Sequence, residues 1–505
     1  MGAANGGRLE KIMIRETFDK IKEQENIREN LIQLKAELKE EQGKTALLYY
    51  IGTEYNVLLE LLKHDDPKVR KNTALVLGEL GIKETLEWIY KAYEKEEQMF
   101  VKSSYLTAIK NFDYTTYLEA LEERYHNLNN TAVAEDSRKH IEEEMRLLSQ
   151  LIRKAKGAEK HIFTGYRVPS SVVLLTNRNY IGVTLEQLKP MKAKEFNAGV
   201  MVECNDLNRI LPIRTYSELL FMLTDLKSID KDIALGAKAL AKSSLLKFLG
   251  ERHKGDGPFY FRIELKSKME LDKRSNYTKK FAAELERLTK RQLINSTSDY
   301  EWELRLIENK EGRFNVLIKL SALKDERFLY RKNVIAASIH PSMAALVAAL
   351  AKDYLKEDAQ VLDPFCGVGT MLIERNKEVK AGTMYGLDIF GEAIEKAKEN
   401  TAASGDTIYY INRNFFDFKH EYLFDEIITN MPRALGQRED SDIRRLYREF
   451  FLKAGEHMKG DGVIILYSHD KDYVYKFYDR TILKLVDEFE ISKKEGAYVI
   501  IFKVL

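Results

Sequence analysis

The sequence predicts three parts in series: an all-α stretch over residues 1–155, an α+β stretch over 160–332 and an α/β stretch over 333–505. Three observations predict them. Up to about residue 155, Glu, Lys and Leu recur at helical spacing and Pro67 is the only proline. From Phe259 the apolar residues alternate with polar ones, as in half-buried strands. From Ala359 a short apolar run enters a glycine-punctuated turn and then a helix, and a second strand-like run follows that ends in Asp388.

Length and composition bound the rest. A chain of 505 residues is too long for one hydrophobic core, so two to four domains are expected. With 44% hydrophobic and 32% charged residues it has the composition of a globular protein. No segment reaches the roughly 18 apolar residues of a membrane span, and MGAANGGRLEKIM lacks the apolar centre of a signal peptide. A cytoplasmic location and no membrane partner are the expectation. Cys204 and Cys366 are too few for a disulfide framework or a cysteine-rich zinc site, so no metal is expected. Net charge is +2, from 81 basic against 79 acidic residues, so any basic surface must be local.

In the helical part, HDDPKVRKNTALVLGELG (His64 to Gly81) has an acidic turn, Pro67 to open a helix, and Val69, Arg70, Ala74 and Leu77 at helical spacing. The pattern recurs 32 residues after Val69, as Val101, Lys102, Leu106 and Ile109. This period and layout resemble a HEAT-like solenoid, in which each helix pair buries its apolar face on the next. The resemblance implies a docking surface for RNA or a protein partner.

The polar stretch from Arg153 to Lys160 leads into the middle part. There VVLLTNRNYIGVT and VMVEC read as short strands, and Ser217 to Leu249 as a helical run. Phe259, Phe261, Ile263 and Leu265 then mark a strand, and Lys279, Lys280, Arg287, Lys290 and Arg291 lie along a basic amphipathic helix with Phe281, Leu285 and Leu288. Trp302 to Ile307 and Phe314 to Leu320, joined by ENKEG, predict a hairpin. Strand, helix, strand, strand is similar to the end of a THUMP module, which implies RNA binding with the basic helix on phosphates.

The C-terminal part carries the most specific signals. Ala359 to Asp363 runs into DPFCGVGTMLIE, where Gly367 and Gly369 punctuate a turn before a helix near Thr370. A nucleoside cofactor must lie close to backbone at a strand's carboxyl end, where side chains would block it. Asp363 can accept hydrogen bonds or offset a positive charge on such a cofactor. A Gly-x-Gly turn also serves dinucleotide folds, and the second strand sharpens the reading: TMYGLD ends in Asp388, suited to both ribose hydroxyls or to capping the next helix. A third strand, Thr407 to Ile411, leads to Asn414 and Phe415 for an adenine, with Asp417 as a competing polar contact.

The fourth strand, FDEIIT, ends in Asn430-Met431-Pro432-Arg433. In amino-methyltransferases the corresponding Asn/Asp-Pro-Pro-aromatic turn accepts the two hydrogens of a planar amine, so its lone pair faces an electrophilic methyl carbon. Taken with GLDIFGEAIEKAKENTAASG, LYREF and ASIHPSMAALVAAL, these motifs resemble the Rossmann-like, seven-stranded domain of THUMP-containing RNA methyltransferases. That resemblance implies S-adenosylmethionine as cofactor and, as target, a base amine in tRNA or rRNA, the guanine 2-amino group above all. Carried over by position, Asp363, Gly367 and Gly369 would belong to the cofactor loop, Asp388 to the ribose, and Asn430 and Pro432 to the target amine; Asn414 and Phe415 are the further candidates for cofactor binding, and Arg433 for catalysis. Met431 and Arg433 depart from the pattern. Arginine can cover a base or bind phosphate, and three outcomes stay open: an enzyme with arginine stacking, an enzyme with another target atom, or a docking scaffold that binds the cofactor without turnover. A methyltransferase acting on protein or DNA is the remaining alternative within the enzyme class.

Overall fold

The computed structural model describes residues 13–52, 54–130, 138–156, 160–433 and 440–505, in two compact units that divide at residues 159 and 160. Among the described residues no helix is long and apolar enough to cross a membrane, and no cluster of side chains has the makings of a metal site.

Among the described residues the first unit has helices and no strands: α1 (13–22), α2 (Ile27–Glu37), α3 (Glu41–Ile51), α4 (Asn56–Leu61), α5 (Pro67–Leu80), α6 (Leu86–Lys95), α7 (Met99–Ile109), α8 (Leu118–Asn130) and α9 (Arg138–Lys156). Pro67 opens α5 behind Asp66, whose carboxylate accepts from Lys68 N at 2.8 Å. Helices α2, α5, α7 and α9 pack in succession, with α4, α6 and α8 each paired to its successor. Val69, Leu77, Val101, Leu106 and Ile109 are all buried, as a stacked repeat requires. Gly78 lets α5 and α7 touch: a Cβ there would stand 2.6 Å from the Ala108 backbone.

The second unit holds two large sheets and one two-stranded sheet. In chain order the middle part comprises β1 (Ile162–Phe163), β2 (Ser170–Leu175), α10 (Ile181–Gln187), β3 (Lys192–Phe196), β4 (Gly199–Cys204), β5 (Glu218–Met222), β6 (Ser228–Ile229), α11 (Ile233–Lys242), α12 (Leu245–Arg252), β7 (His253–Lys254), β8 (Phe259–Lys266), α13 (Leu271–Leu288), β9 (Leu293–Asn295), β10 (Trp302–Glu308) and β11 (Phe314–Leu320). The sheet order is β3-β4-β2-β5-β11-β10-β8-β9, with β6 also on β11. The expected hairpin is there, with Trp302 opposite Leu320 and Glu308 opposite Phe314.

Two expectations are corrected. Ile181 starts a helix rather than continuing a strand, and Glu218–Met222 is a strand between β2 and β11 rather than the start of a helical run. A central strand buried on both faces has no period-2 signature, and ELLFM therefore looks like buried helix. The basic helix exists as α13, but Arg287 pairs with Glu284, and Arg291 beyond its end pairs with Glu286. Lys279 and Lys280 on the helix, and Lys290 beyond its end, are exposed.

The C-terminal part runs α14 (Pro341–Leu350), β12 (Gln360–Asp363), α15 (Thr370–Glu378), β13 (Thr383–Asp388), α16 (Gly391–Ser404), β14 (Tyr409–Asn412), β15 (Phe424–Asn430), α17 (Asp440–Ala454), β16 (Met458–Ser468), α18 (Lys471–Phe477), β17 (Leu483–Ser492) and β18 (Ala497–Val504). Its seven strands are ordered β14-β13-β12-β15-β16-β18-β17, parallel except for β18. The chain reverses winding direction between β12 and β15, and in such sheets the crevice beyond those carboxyl ends takes the ligand. A guanidinium from the middle part grips this domain: Arg214 donates twice to Glu374 at 2.7 Å, and Tyr330 donates to the same carboxylate at 2.6 Å. Glu374 lies on α15, the helix that follows the glycine turn.

Candidate functional site

Asp363 ends β12 and is 1% exposed. Its Oδ1 accepts from Thr429 Oγ1 at 2.6 Å and Phe365 N at 3.0 Å. Burial outweighs those bonds and, with Asp388 nearby, pushes the carboxyl up to about 7. Beyond it, Gly367 and Gly369 take φ values of +52° and +82°, which turn the chain into α15. Gly369 is also needed for contact, since a Cβ would stand 2.1 Å from the Tyr410 hydroxyl.

Asp388 ends β13. One carboxylate oxygen accepts from Gly367 N at 3.0 Å and the other from Phe390 N at 2.9 Å, so this side chain ties the first two strand tips together. The N-cap position of α16 belongs to Phe390, not to Asp388. After β14, Asn414 accepts from Phe416 N at 3.2 Å, and Phe415 is buried beside Phe365 and Phe450.

The fourth predicted element supplies the far wall. β15 runs beside β16 with Asn430 opposite Tyr467, and the ladder continues one residue further, Met431 N donating to Tyr467 O at 2.9 Å. Met431 is 1% exposed and packs into the core, which accounts for an apolar side chain where the expected pattern has proline. Asn430 Nδ2 donates to Ala337 O at 3.4 Å, which leaves Oδ1 as the acceptor of that amide. Arg433 is exposed, with Nη1 at 3.4 Å from both ring nitrogens of His469.

One cavity of about 420 Å³ gathers these groups. Asp363, Gly367, Asp388, Asn414 and Phe415 line one part of it, and Asn430, Pro432 and Arg433 another. Gly369 does not line it; that glycine serves the packing against Tyr410. Asp417 is likewise absent from the walls, so Asn414 is the polar group present at the end of the third strand. Ala337–Ile339 on its wall open the ASIHPSMAALVAAL segment that the resemblance places before the cofactor pocket, whereas sequence reasoning missed Thr370, Phe390, Phe416, Ile335 and Ala336, which line the cavity, and His469 behind Arg433. Thr370 follows the glycine turn and was legible as the first helical residue, whereas the others carry no local signal.

Residues 329–495 match the family profile of the RMKL-like methyltransferase domain, and residues 55–139 that of HEAT repeats. A ribosomal protein L11 methyltransferase of Dictyoglomus thermophilum is 28% identical over 164 residues, 32% of this chain and 50% of that protein. A tRNA (guanine(10)-N2)-dimethyltransferase of Methanothermobacter thermautotrophicus is 27% identical over 161 residues, 30% of this chain and 47% of that protein. The chain thus spans about half the length of these curated relatives. In fold, the crystal structure of TrmN from Thermus thermophilus is similar, with TM-score 0.51 and 17% identity over 66% of this chain and 99% of that one. That span exceeds residues 329–495, so the likeness of fold takes in part of the chain before them.

The pocket fits the methyl donor of such domains. Thr370 Oγ1 is buried on its wall without a hydrogen-bond partner, an unmet polar group for a ligand to satisfy. Two carboxyls, Asp363 and Asp388, stand within the same cavity for an ammonium and for hydroxyls. Residues 329–495, which include all the residues lining this pocket, match the RMKL-like methyltransferase domain, and the cofactor of this pocket is S-adenosylmethionine.

Proposed function

We propose that this chain methylates an exocyclic amine of an RNA base, with the 2-amino group of guanine in tRNA or rRNA as the favoured target. The observation that carries the reading is Asn430 at the end of β15, its amide oxygen available in the cavity that Asp363 and Asp388 also line. Bound S-adenosylmethionine supplies a methyl group on positively charged sulfur, which leaves as a neutral thioether. Asp388 is assigned to the ribose hydroxyls, Asp363 to the amino acid portion, and Asn414 with Phe415 to the adenine. Asn430 Oδ1 and a carbonyl of the Met431-Pro432 turn take the two hydrogens of the target amine and aim its lone pair. No strong base is required, because the proton can leave to water after transfer.

Charge and kinship favour RNA. Residues 160–505 carry 56 Lys and Arg against 50 Asp and Glu, while residues 1–159 carry 25 against 29. The basic excess therefore lies with the unit that holds the pocket, where a polyanion would be drawn. The helical unit is assigned to docking a protein partner. Nucleosides of tRNA and rRNA, quantified by mass from cells with and without the gene, test the target: loss of N2-methylguanosine is expected, and identical profiles would overturn it. An absence of turnover on every RNA fraction would favour the docking-scaffold reading.

Two consequences concern the cofactor. Asp388→Ala should weaken its binding by about 1–3 kcal/mol through lost charge-assisted hydrogen bonds, read by calorimetry, with Asp388→Asn losing less. Equal affinity in the alanine variant would remove Asp388 from the ribose role. For Asp363, the folded carboxyl titrates near 7 against an ordinary value of 3.8, so the folded free protein holds a proton that the unfolded chain has released. Stability from this group is complete below about pH 4 and is lost as pH rises through about 7. A cationic amino group reverses the preference and expels that proton. Binding near pH 6 should therefore release a proton, seen as a binding enthalpy that varies with the buffer's ionisation heat, and Asp363→Asn should abolish the variation.

A further inference from the structure

We infer that His469 is a positioning residue for this transfer: it holds the Arg433 guanidinium flat at the mouth of the pocket, so that a cationic plane serves where amino-methyltransferases of this pattern use an aromatic ring under the target base. The inference rests on the base-methylating reading above.

The geometry is specific. Arg433 Nη1 is equidistant, at 3.4 Å, from His469 Nδ1 and Nε2. In the plane of the ring, a point that far from both nitrogens would collide with a ring carbon. Nη1 therefore lies over the imidazole face, a cation-on-ring placement rather than an in-plane hydrogen bond. The imidazole is itself held on two sides. His469 Nδ1 lies 3.1 Å from Glu495 O, and the ring stands edge-to-face with Tyr467 at 5.3 Å and 80°. Tyr467 is the register partner of Asn430, so the same strand, β16, that places the acceptor also places His469 two residues on, beside the Pro432-Arg433 turn. Arg433 is exposed and lines the cavity. With His469 against it, the guanidinium still borders the cavity, where a target base would meet it.

A layered imidazole, guanidinium and base would supply stacking of the kind that is worth on the order of 1–3 kcal/mol per base. Holding the guanidinium beforehand matters because a free arginine loses rotamer freedom when it is ordered by a ligand. Direct phosphate binding would use the guanidinium edge and would gain nothing from an imidazole stacked on its face.

The test is a set of single-turnover methyl transfers with labelled S-adenosylmethionine and small RNA from cells lacking the gene. His469→Ala should slow transfer roughly 5- to 150-fold, the equivalent of that stacking, with cofactor affinity unchanged. In an Arg433→Ala background the same change should cost nothing further, and in an Arg433→Tyr background, where the plane no longer needs support, it should also be silent. A wild-type rate in His469→Ala, or an equal loss in all three backgrounds, would overturn the inference. So would an Arg433→Lys variant as fast as wild type beside an inactive Arg433→Tyr, which would assign Arg433 to phosphate. If the unaltered protein methylates no RNA, the methylation reading fails instead. The pairing is then decided by the His469 ring resonances, which should move when Arg433→Ala removes the stacked plane and would refute the stack by staying still.

Discussion

Asn430→Ala should lower the rate of methyl transfer by about 10²–10³ while leaving the affinities for S-adenosylmethionine and RNA close to wild type. The amide oxygen is asked to hold one hydrogen of a planar amine only when that amine faces the methyl carbon, so its contribution belongs to the transition state. Its donor side is already committed to Ala337 O at 3.4 Å, which keeps the acceptor from rotating away. Asn430→Asp retains an acceptor and should keep part of the rate. Single-turnover kinetics at saturating RNA separate the two effects; a full rate in the alanine variant would end the positioning mechanism, and a loss confined to RNA affinity would move Asn430 to a binding role.

Glu426→Ala should destabilise the C-terminal domain by about 3–5 kcal/mol, because it strands Arg375 as an unpaired charge in the core. Both side chains are 0% exposed. Arg375 Nε and Nη2 reach the two carboxylate oxygens of Glu426 at 2.8 and 2.7 Å, and Lys356 N donates to the same carboxylate at 2.7 Å. This pair joins α15, the helix that follows the glycine turn, to β15, the strand that ends in Asn430. Hydrogen exchange of the β12 and β15 amides should accelerate by the corresponding factor. Replacing both partners by apolar residues of similar volume should recover much of the loss, since the attraction between them is offset by the desolvation of two ions. Unchanged protection in Glu426→Ala would show that Arg375 finds water or another acceptor.

Much of the pocket was legible because its parts are local in the chain. The turn between Asp363 and Thr370, Asp388 at the end of TMYGLD, and Asn430 after FDEIIT each announce themselves within a few residues, since a strand end, a tight turn and a helix start need particular residue types in a row. The period in the helical unit was visible for the same reason. Gly369 shows where local reading fails: the residue is needed at its place, but for Tyr410 and not for the cavity, and only the folded neighbour reveals that. Glu218–Met222 failed differently, because a strand buried on both faces has no alternation to detect.

What the sequence by itself determined is the succession of parts, the parallel domain at the C-terminus and the strand-end residues that line its cavity. Tertiary structure decided which distant groups surround that cavity: Ile335 and Ala336 on its wall, the Arg214 and Tyr330 grip on Glu374 of α15, and His469 beside Arg433. The physical reason is that backbone conformation at a strand end depends on neighbours in the chain. The pairing of Arg433 with a ring 36 residues away depends instead on the register of β15 against β16, which the packing of the whole sheet sets.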